Sequence, residues 1–190
     1  MQERTKKLRF KRKINKEHPK VLLKDIDKQD NWSLQLFTKL AKQKSVKQVC
    51  EIVVESALKM FQVEGAAVFL KDPAEENLTP VAFSVRKDLE DKELMDKFAL
   101  EKIPLDSNLA SSQAFKTGEI YVSEGNIADT VKKAGFNIVF SFPIFQRGKT
   151  VGVLSLARLK KEALTTRQIG VAELLAAYLA VRVDYLSIAK

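Results

Sequence analysis

The chain has 190 residues, of which 45% are hydrophobic and 30% charged, so it is long and apolar enough to bury a sizeable core. One cysteine, Cys50, and one histidine, His18, exclude an internal disulfide and a Cys/His zinc cluster, and so low a cysteine content is typical of a reducing, cytoplasmic compartment. No apolar run approaches the roughly 18 residues that a membrane-spanning helix needs, and none resembles a signal peptide.

The net charge of +9 is concentrated at the N-terminus. Residues 1–20 (MQERTKKLRFKRKINKEHPK) carry nine Lys and Arg against two Glu. Mutual repulsion and the shortage of apolar side chains predict a disordered basic arm here, followed by a single domain over residues 21–190. The arm either attaches the chain to nucleic acid, an anionic membrane surface or an acidic partner, or is only a solubilising tail or a linker.

Two helices are predicted after the arm. Residues 31–42 place four apolar side chains at helical spacing: Trp32, Leu36, Phe37 and Leu40. Ser45 is a typical N-cap for a second helix that ends at Phe61. Cys50 lies on this second helix beside its apolar stripe, where we expect a small buried hydrophobe. The alternative is a reactive thiol, but the sequence offers no basic neighbour or second thiol to activate it.

Short strands and short helices follow. The periodicity predicts strands over Gly65–Lys71, Leu78–Arg86 and Ile120–Val122, and helices over Leu89–Leu100, Leu109–Lys116 and Ile127–Ala134. The first of these helices carries many charges, so we expect it to be a solvent-facing lid. The second should stop at Gly118, because glycine is the usual C-terminal residue of a helix.

Residues 137–157 (NIVFSFPIFQRGKTVGVLSLA) predict the central hairpin of the sheet. The turn at Gln146–Lys149 includes Gly148, which supplies the positive φ that a tight turn needs. Both strands are apolar on both faces, which is typical of strands in the middle of a sheet. Pro143 lacks an N–H, so it should mark a bulge or an opening in the ladder.

The last helix is predicted from Thr165 to Ile188. Its apolar side chains alternate by three and four residues along a heptad-like seam: Ile169, Ala172, Ala176, Leu179, Val183 and Leu186. The seam favours a helix bundle in a homodimer. The alternative is that the helices over residues 31–61 cover the seam within one subunit.

Two stretches resemble a known family. Residues 109–122 (LASSQAFKTGEIYV) resemble the short helix, Thr-Gly pair and strand of GAF domains, and residues 137–156 resemble their central hairpin. The resemblance implies an α+β fold with an antiparallel sheet of five or six strands, long N- and C-terminal helices on one face, and short helices and a lid on the other. It also implies a dimer of terminal helices and a small-molecule pocket beneath the short helices.

The sequence departs from members of the family whose ligands are well known. Residues 158–168 (RLKKEALTTRQ) lack the Asn and the Phe-x-x-Asp-Glu that the resemblance associates with cyclic nucleotide binding. Cys50 lies on a core helix rather than in the pocket where bilin-binding members attach their chromophore. One thiol is too few for methionine sulfoxide reduction, and His18 lies in the arm, which argues against haem. The ligand is therefore not identified.

Candidate pocket residues are polar or aromatic side chains expected on the face opposite the long helices: Phe83, Tyr121, Ser123, Asn126, Ile127, Thr130, Asn137, Ser141 and Phe142. The alternative is that Phe140, Phe142 and Phe145 fill this space themselves.

The sequence argues against an enzyme, because it has no phosphate-binding loop, paired nucleophile and base, or metal-spaced cluster. The first hypothesis is a cytoplasmic sensory or regulatory module that binds a small molecule, dimerises and relays a signal to a partner protein. The second is a ligand-free dimerisation or assembly module whose basic arm contacts nucleic acid, an acidic partner or a membrane surface. A third, an enzyme acting through Cys50, requires a reactive thiol.

Overall fold

A computed structural model describes residues 34–74 and 76–188 of the chain. The chain divides into two units, Met1–Gln43 and Lys44–Lys190. In the first unit, residues 34–41 form a helix (α1). The predicted basic arm over residues 1–20, and Trp32 of the first predicted helix, lie outside the described residues.

The second unit contains a six-stranded antiparallel sheet with the order β3-β2-β1-β6-β5-β4. Its strands are β1 (Gly65–Lys71), β2 (Asn77–Val85), β3 (Ile103–Pro104), β4 (Tyr121–Ser123), β5 (Ile138–Gln146) and β6 (Lys149–Arg158). The hairpin β5–β6 and the strand β1 occupy the middle, as their apolar faces predict. The sheet and its helices confirm the predicted α+β class.

Five helices accompany the sheet in the described part of this unit: α2 (Val46–Phe61), α3 (Lys92–Leu100), α4 (Ala110–Thr117), α5 (Asp129–Lys133) and α6 (Thr166–Ile188). The long helices α2 and α6 pack on each other and on one face of the sheet, while α3 and α4 pack on the other face. None of the described helices is long and apolar enough to cross a membrane.

Both long helices begin at side-chain caps. Ser45 accepts a hydrogen bond from the backbone N–H of Gln48 at the start of α2. Thr165 and Gln168 form a reciprocal capping box at the start of α6, since the Thr165 hydroxyl accepts from the Gln168 N–H and the Gln168 side chain accepts from the Thr165 N–H. The sequence therefore placed both helix starts correctly.

The central turn holds two consecutive residues at positive φ, Arg147 at 49° and Gly148 at 78°. This is the pattern of a type I′ turn, whose twist matches that of the flanking strands. Asp184 of α6 clamps the turn: its carboxylate lies 3.0 Å from the Arg147 guanidinium and accepts from the Gln146 amide. The register irregularity predicted at Pro143 falls between Ile144 and Phe145, one residue later.

The predicted helix over residues 89–100 is two elements. A single 3-10 turn at Lys87–Leu89 precedes α3, and the Asp91 side chain caps α3 by accepting from the Leu94 N–H. The short strand β3 then follows, which the sequence analysis did not predict because two residues are too few to show periodicity.

The seam predicted as the dimer interface is largely buried within the folded chain, which corrects that prediction. Ile169 is half-buried, and the other five residues are buried: Ala172, Ala176, Leu179, Val183 and Leu186. They belong to the side of α6 that packs on β5 and α2. A different apolar stripe of α6 is exposed, at Leu174, Val181, Tyr185 and Ile188.

Alanine substitutions at two glycines should change the free energy of unfolding in opposite directions. A Cβ on Gly152 in β6 would stand 2.3 Å from the Phe69 carbonyl oxygen, whereas one on Gly170 in α6 would meet nothing within 4 Å. We expect Gly152→Ala to cost about 1–3 kcal/mol through overpacking. Gly170→Ala should instead stabilise by about 0.5–1 kcal/mol, because alanine loses less backbone entropy in a helix. Urea unfolding measures both, and equal effects of the two variants would contradict this packing.

Candidate ligand pocket

A cavity of about 70 Å³ lies between the sheet and the helices α3, α4 and α5. It exists because small residues face each other on the two central strands. Gly65 pairs with Ala157 and Ala67 pairs with Ser155 across β1 and β6, and all four line the cavity. The space is tightly bounded, since a Cβ on Gly65 would stand 2.9 Å from the Phe136 ring.

Aromatic rings form much of the wall: Phe69, Phe83, Phe98 and Phe136 line the cavity. The Phe98 ring of α3 packs on the Phe83 ring of β2, with centroids 5.7 Å apart and planes tilted by 51°. This tilted arrangement is favourable for aromatic pairs. It holds α3 over the sheet although α3 contains no buried residue. Helix α5 contains none either, so these two short helices are the weakly attached parts of the roof.

Three serines form a chain of hydroxyls that begins at the cavity and ends inside the sheet. Ser111 on α4 and Ser155 on β6 line the cavity, and their Oγ atoms are 3.0 Å apart. Ser155 also contacts Ser141 on β5, with an Oγ–Oγ distance of 3.2 Å. Ser141 is fully buried. The hydroxyls thus satisfy one another between the cavity wall and the interior of the sheet.

Glu101, at the C-terminal end of α3, is the ionisable residue among the described residues that line the cavity. Burial raises the pKa of its carboxyl, and nearby Asp129 raises it further. Hydrogen bonds from the side chain and the backbone of Thr130 oppose this rise in pKa. The carboxylate therefore joins the end of α3 to α5, the two helices at this side of the roof.

Three of the nine predicted pocket residues line the cavity, namely Phe83, Asn126 and Ile127. Two others are hydrogen-bonded to a residue that lines the cavity: Ser141 to Ser155, and Thr130 to Glu101. These five residues lie together at or next to the cavity.

The other four predicted residues do not line the cavity, although Tyr121 packs on residues that do and Ser123 is hydrogen-bonded to one of them. Phe142 points to the opposite face, because it alternates with Ser141 along β5, and it is fully buried there. Tyr121 packs among the apolar residues beneath α4. The Ser123 hydroxyl accepts from the Asn126 N–H and so shapes the loop before α5. Asn137 is exposed, and its amide donates to the carbonyls of Gly135 and Leu159.

Sequence reasoning missed five residues that define the cavity: Phe98, Glu101, Ser111, Phe136 and Ser155. Of these five residues, Ser155 is the easiest to identify from the sequence, because it interrupts the apolar run VGVLSLA in a buried strand. A buried hydroxyl requires a hydrogen-bonding partner, so a second buried serine was to be expected. Identifying that partner as Ser111 required the position of α4 on the sheet.

Cys50 is fully buried on α2, and burial raises the pKa of its thiol to about 12. The reactive form of cysteine is the thiolate, and a pKa this high leaves almost none of it at neutral pH. Cys50 is also absent from the described lining of the cavity. Its surroundings therefore oppose the hypothesis of an enzyme acting through this thiol.

Comparison with known proteins identifies the type of domain. A family model described as GAF domain matches residues 43–184. No curated protein sequence matches the chain.

Solved structures share the fold at low sequence identity. The GAF domain of an Acinetobacter phosphoenolpyruvate-protein phosphotransferase is 14% identical, with a TM-score of 0.67, over 82% of this chain and 92% of that one. The corresponding domain from Coxiella burnetii is 12% identical, with a TM-score of 0.69, over 82% and 92%. Free methionine-R-sulfoxide reductase from Neisseria meningitidis, solved in complex with its substrate, is 16% identical, with a TM-score of 0.66, over 82% and 88%.

The raised pKa of Glu101 predicts a pH dependence of stability. Because the folded-state pKa lies above the unfolded value, the group's stabilising contribution is present at low pH and is lost as the pH rises through the folded-state pKa. Glu101→Gln stays neutral, so we expect its stability to improve relative to the wild type as the pH rises above about 4, the ordinary pKa of glutamate. Urea midpoints at several pH values measure this. The control is Glu90→Gln, an exposed carboxylate before α3, and the same trend in both variants would contradict the assignment.

Proposed function

The chain belongs to the GAF domain family, and we propose that it is a non-catalytic, cytoplasmic module that binds a small molecule in the cavity beneath α3 and relays this binding to a partner protein. GAF domains are generally sensory or regulatory modules that bind small molecules, and they commonly sit in signalling proteins. The observation that carries the proposal is the cavity itself, with its apolar wall and buried hydroxyls.

A filled cavity tests ligand binding. Ala67 lies on the cavity floor, opposite Ser155 in the register of β1 and β6. Ala67→Leu should occupy the space with little loss of stability, because it replaces a void with apolar atoms. We expect some members of a metabolite panel to raise the melting temperature of the wild type and none of these to raise that of Ala67→Leu.

The control for this experiment is Ala99→Leu, which adds the same atoms at an exposed position of α3. It should respond to ligands as the wild type does. A panel that shifts neither the wild type nor the control would favour the ligand-free assembly module, and binding that survives in Ala67→Leu would place the ligand outside the cavity.

We propose further that α6 forms the homodimer, through the exposed stripe rather than the buried seam. Leu174, Val181 and Ile188 are spaced by seven residues, and Tyr185 falls at the complementary heptad position. About two heptads of apolar residues on a helix that projects Leu174, Val181 and Tyr185 into solvent are suited to a second copy of the same helix.

Val181→Glu tests this interface. Val181 is 65% exposed, so a glutamate there leaves the folded subunit intact but places like charges opposite each other in a symmetric helix pair. We expect analytical ultracentrifugation to find a dimer for the wild type and a monomer for Val181→Glu. Leu100→Glu, which adds the same charge at an exposed site on α3, should remain a dimer. A monomeric wild type would overturn the homodimer.

A further inference from the structure

The cavity lining restricts the chemical class of its ligand, an inference that rests on the proposed function and deepens it. The described lining contains no lysine, arginine or histidine, while Glu101 contributes a carboxylate at one end. An anion placed there would lose its hydration without gaining a cation and would be repelled by Glu101. Nucleotides, phosphates and carboxylates are therefore poorly suited to this site.

A cationic ligand is disfavoured by the cost of its own desolvation. The Glu101 carboxylate is already engaged by the hydroxyl and the backbone N–H of Thr130. A ligand ammonium would share the remaining lone pairs of Glu101 with these bonds, and it would give up its hydration in a lining that is otherwise uncharged. The net balance thus favours an uncharged ligand.

The serine chain supplies the polar contact for such a ligand. Ser111 is 5% exposed and Ser155 is 7% exposed, yet both line the cavity. Three hydroxyls joined by two hydrogen bonds hold three protons, so one proton and several lone pairs are left for other partners. Either atom of each pair can be the donor, so the chain can reverse direction. Its cavity end can therefore donate to a carbonyl or accept from a hydroxyl.

We propose that the cavity takes a compact, uncharged ligand that is apolar apart from one hydroxyl or carbonyl group, and that Ser111 and Ser155 bind this group. The phenylalanine walls suit an aromatic or branched aliphatic body. A volume of about 70 Å³ is less than the 150 Å³ cavity that admits benzene in another protein, so a ring-sized ligand enters with a small outward shift of α3. In this shift the Phe98 ring of α3 separates from the Phe83 ring of β2.

Four probes built on one phenyl ring separate the possible classes: phenol, toluene, benzoate and benzylamine. Isothermal titration of the full chain with each probe gives its Kd. We expect phenol to bind roughly tenfold more tightly than toluene, as one added neutral hydrogen bond allows, and benzoate and benzylamine to bind more weakly than phenol.

Ser111→Ala should reduce the preference for phenol over toluene, because Ser155, still bonded to Ser141, is then the one hydroxyl of this pair left to bind the ligand. The matched control is Ser112→Ala on the same helix. Ser112 is also buried, but its hydroxyl is bonded to the Pro104 carbonyl and to Ser107, and it does not line the cavity. This variant should lose stability yet keep the selectivity of the wild type.

The outcomes distinguish this inference from the proposed function. Tighter binding of benzoate or benzylamine, or an unchanged phenol preference in Ser111→Ala, would overturn the ligand class while leaving a ligand-binding cavity. If all four probes fail to bind and the metabolite panel also gives no shift, the proposed function itself is overturned. The wild-type ranking needs no variant, so the inference stays testable even if Ser111→Ala does not fold.

Discussion

The register between β1 and β6 decides which residues build the core and which build the cavity. Leu154 and Leu156 alternate with Ser155 and Ala157, so one face of β6 is large and apolar while the other is small. A shift of one residue would exchange the two faces and place leucines in the cavity. The close approach of Gly152 to the Phe69 carbonyl helps to fix this register, and the type I′ turn at Arg147–Gly148 fixes the register of β6 against β5.

The same sheet separates two surfaces with different tasks in the proposed function. Strand β5 contacts α4 on the cavity side and α6 on the other side. Asp184 adds a second connection, because it ties α6 to the β5–β6 turn. A ligand that moves α4 or Ser111 would therefore act on an element that also touches α6. This short route supports a relay from the cavity to the exposed stripe of α6, and the coupling itself belongs to the proposal.

Local sequence patterns predicted the second unit well wherever one residue type fixes the backbone. Ser45, Gly118 and Gly148 marked a helix start, a helix end and a turn, and each has that role in the structure. The predicted strand Gly65–Lys71 agrees with β1 residue for residue. The central position of the hairpin could be predicted because a strand that is covered on both faces shows no alternation of polar and apolar residues.

The cavity was harder to predict, because it depends on distances between elements rather than on any one of them. Ser111 and Ser155 are 44 residues apart in sequence, and only the packing of α4 on β6 brings their hydroxyls together. Phe142 was assigned to the cavity because aromatic residues suit a pocket wall, although its alternation with Ser141 puts it on the core side. The seam of α6 was misassigned for a related reason: periodicity reveals an apolar face but not which neighbour covers it.

The central claim is that a small molecule binds in the cavity beneath α3, and native mass spectrometry tests it most directly. The wild-type chain and Ala67→Leu would be incubated with a small-molecule extract of cells and then compared. The account predicts a discrete extra mass on the wild type that is missing from Ala67→Leu, because leucine fills the cavity floor. Identical spectra for the two chains would contradict it.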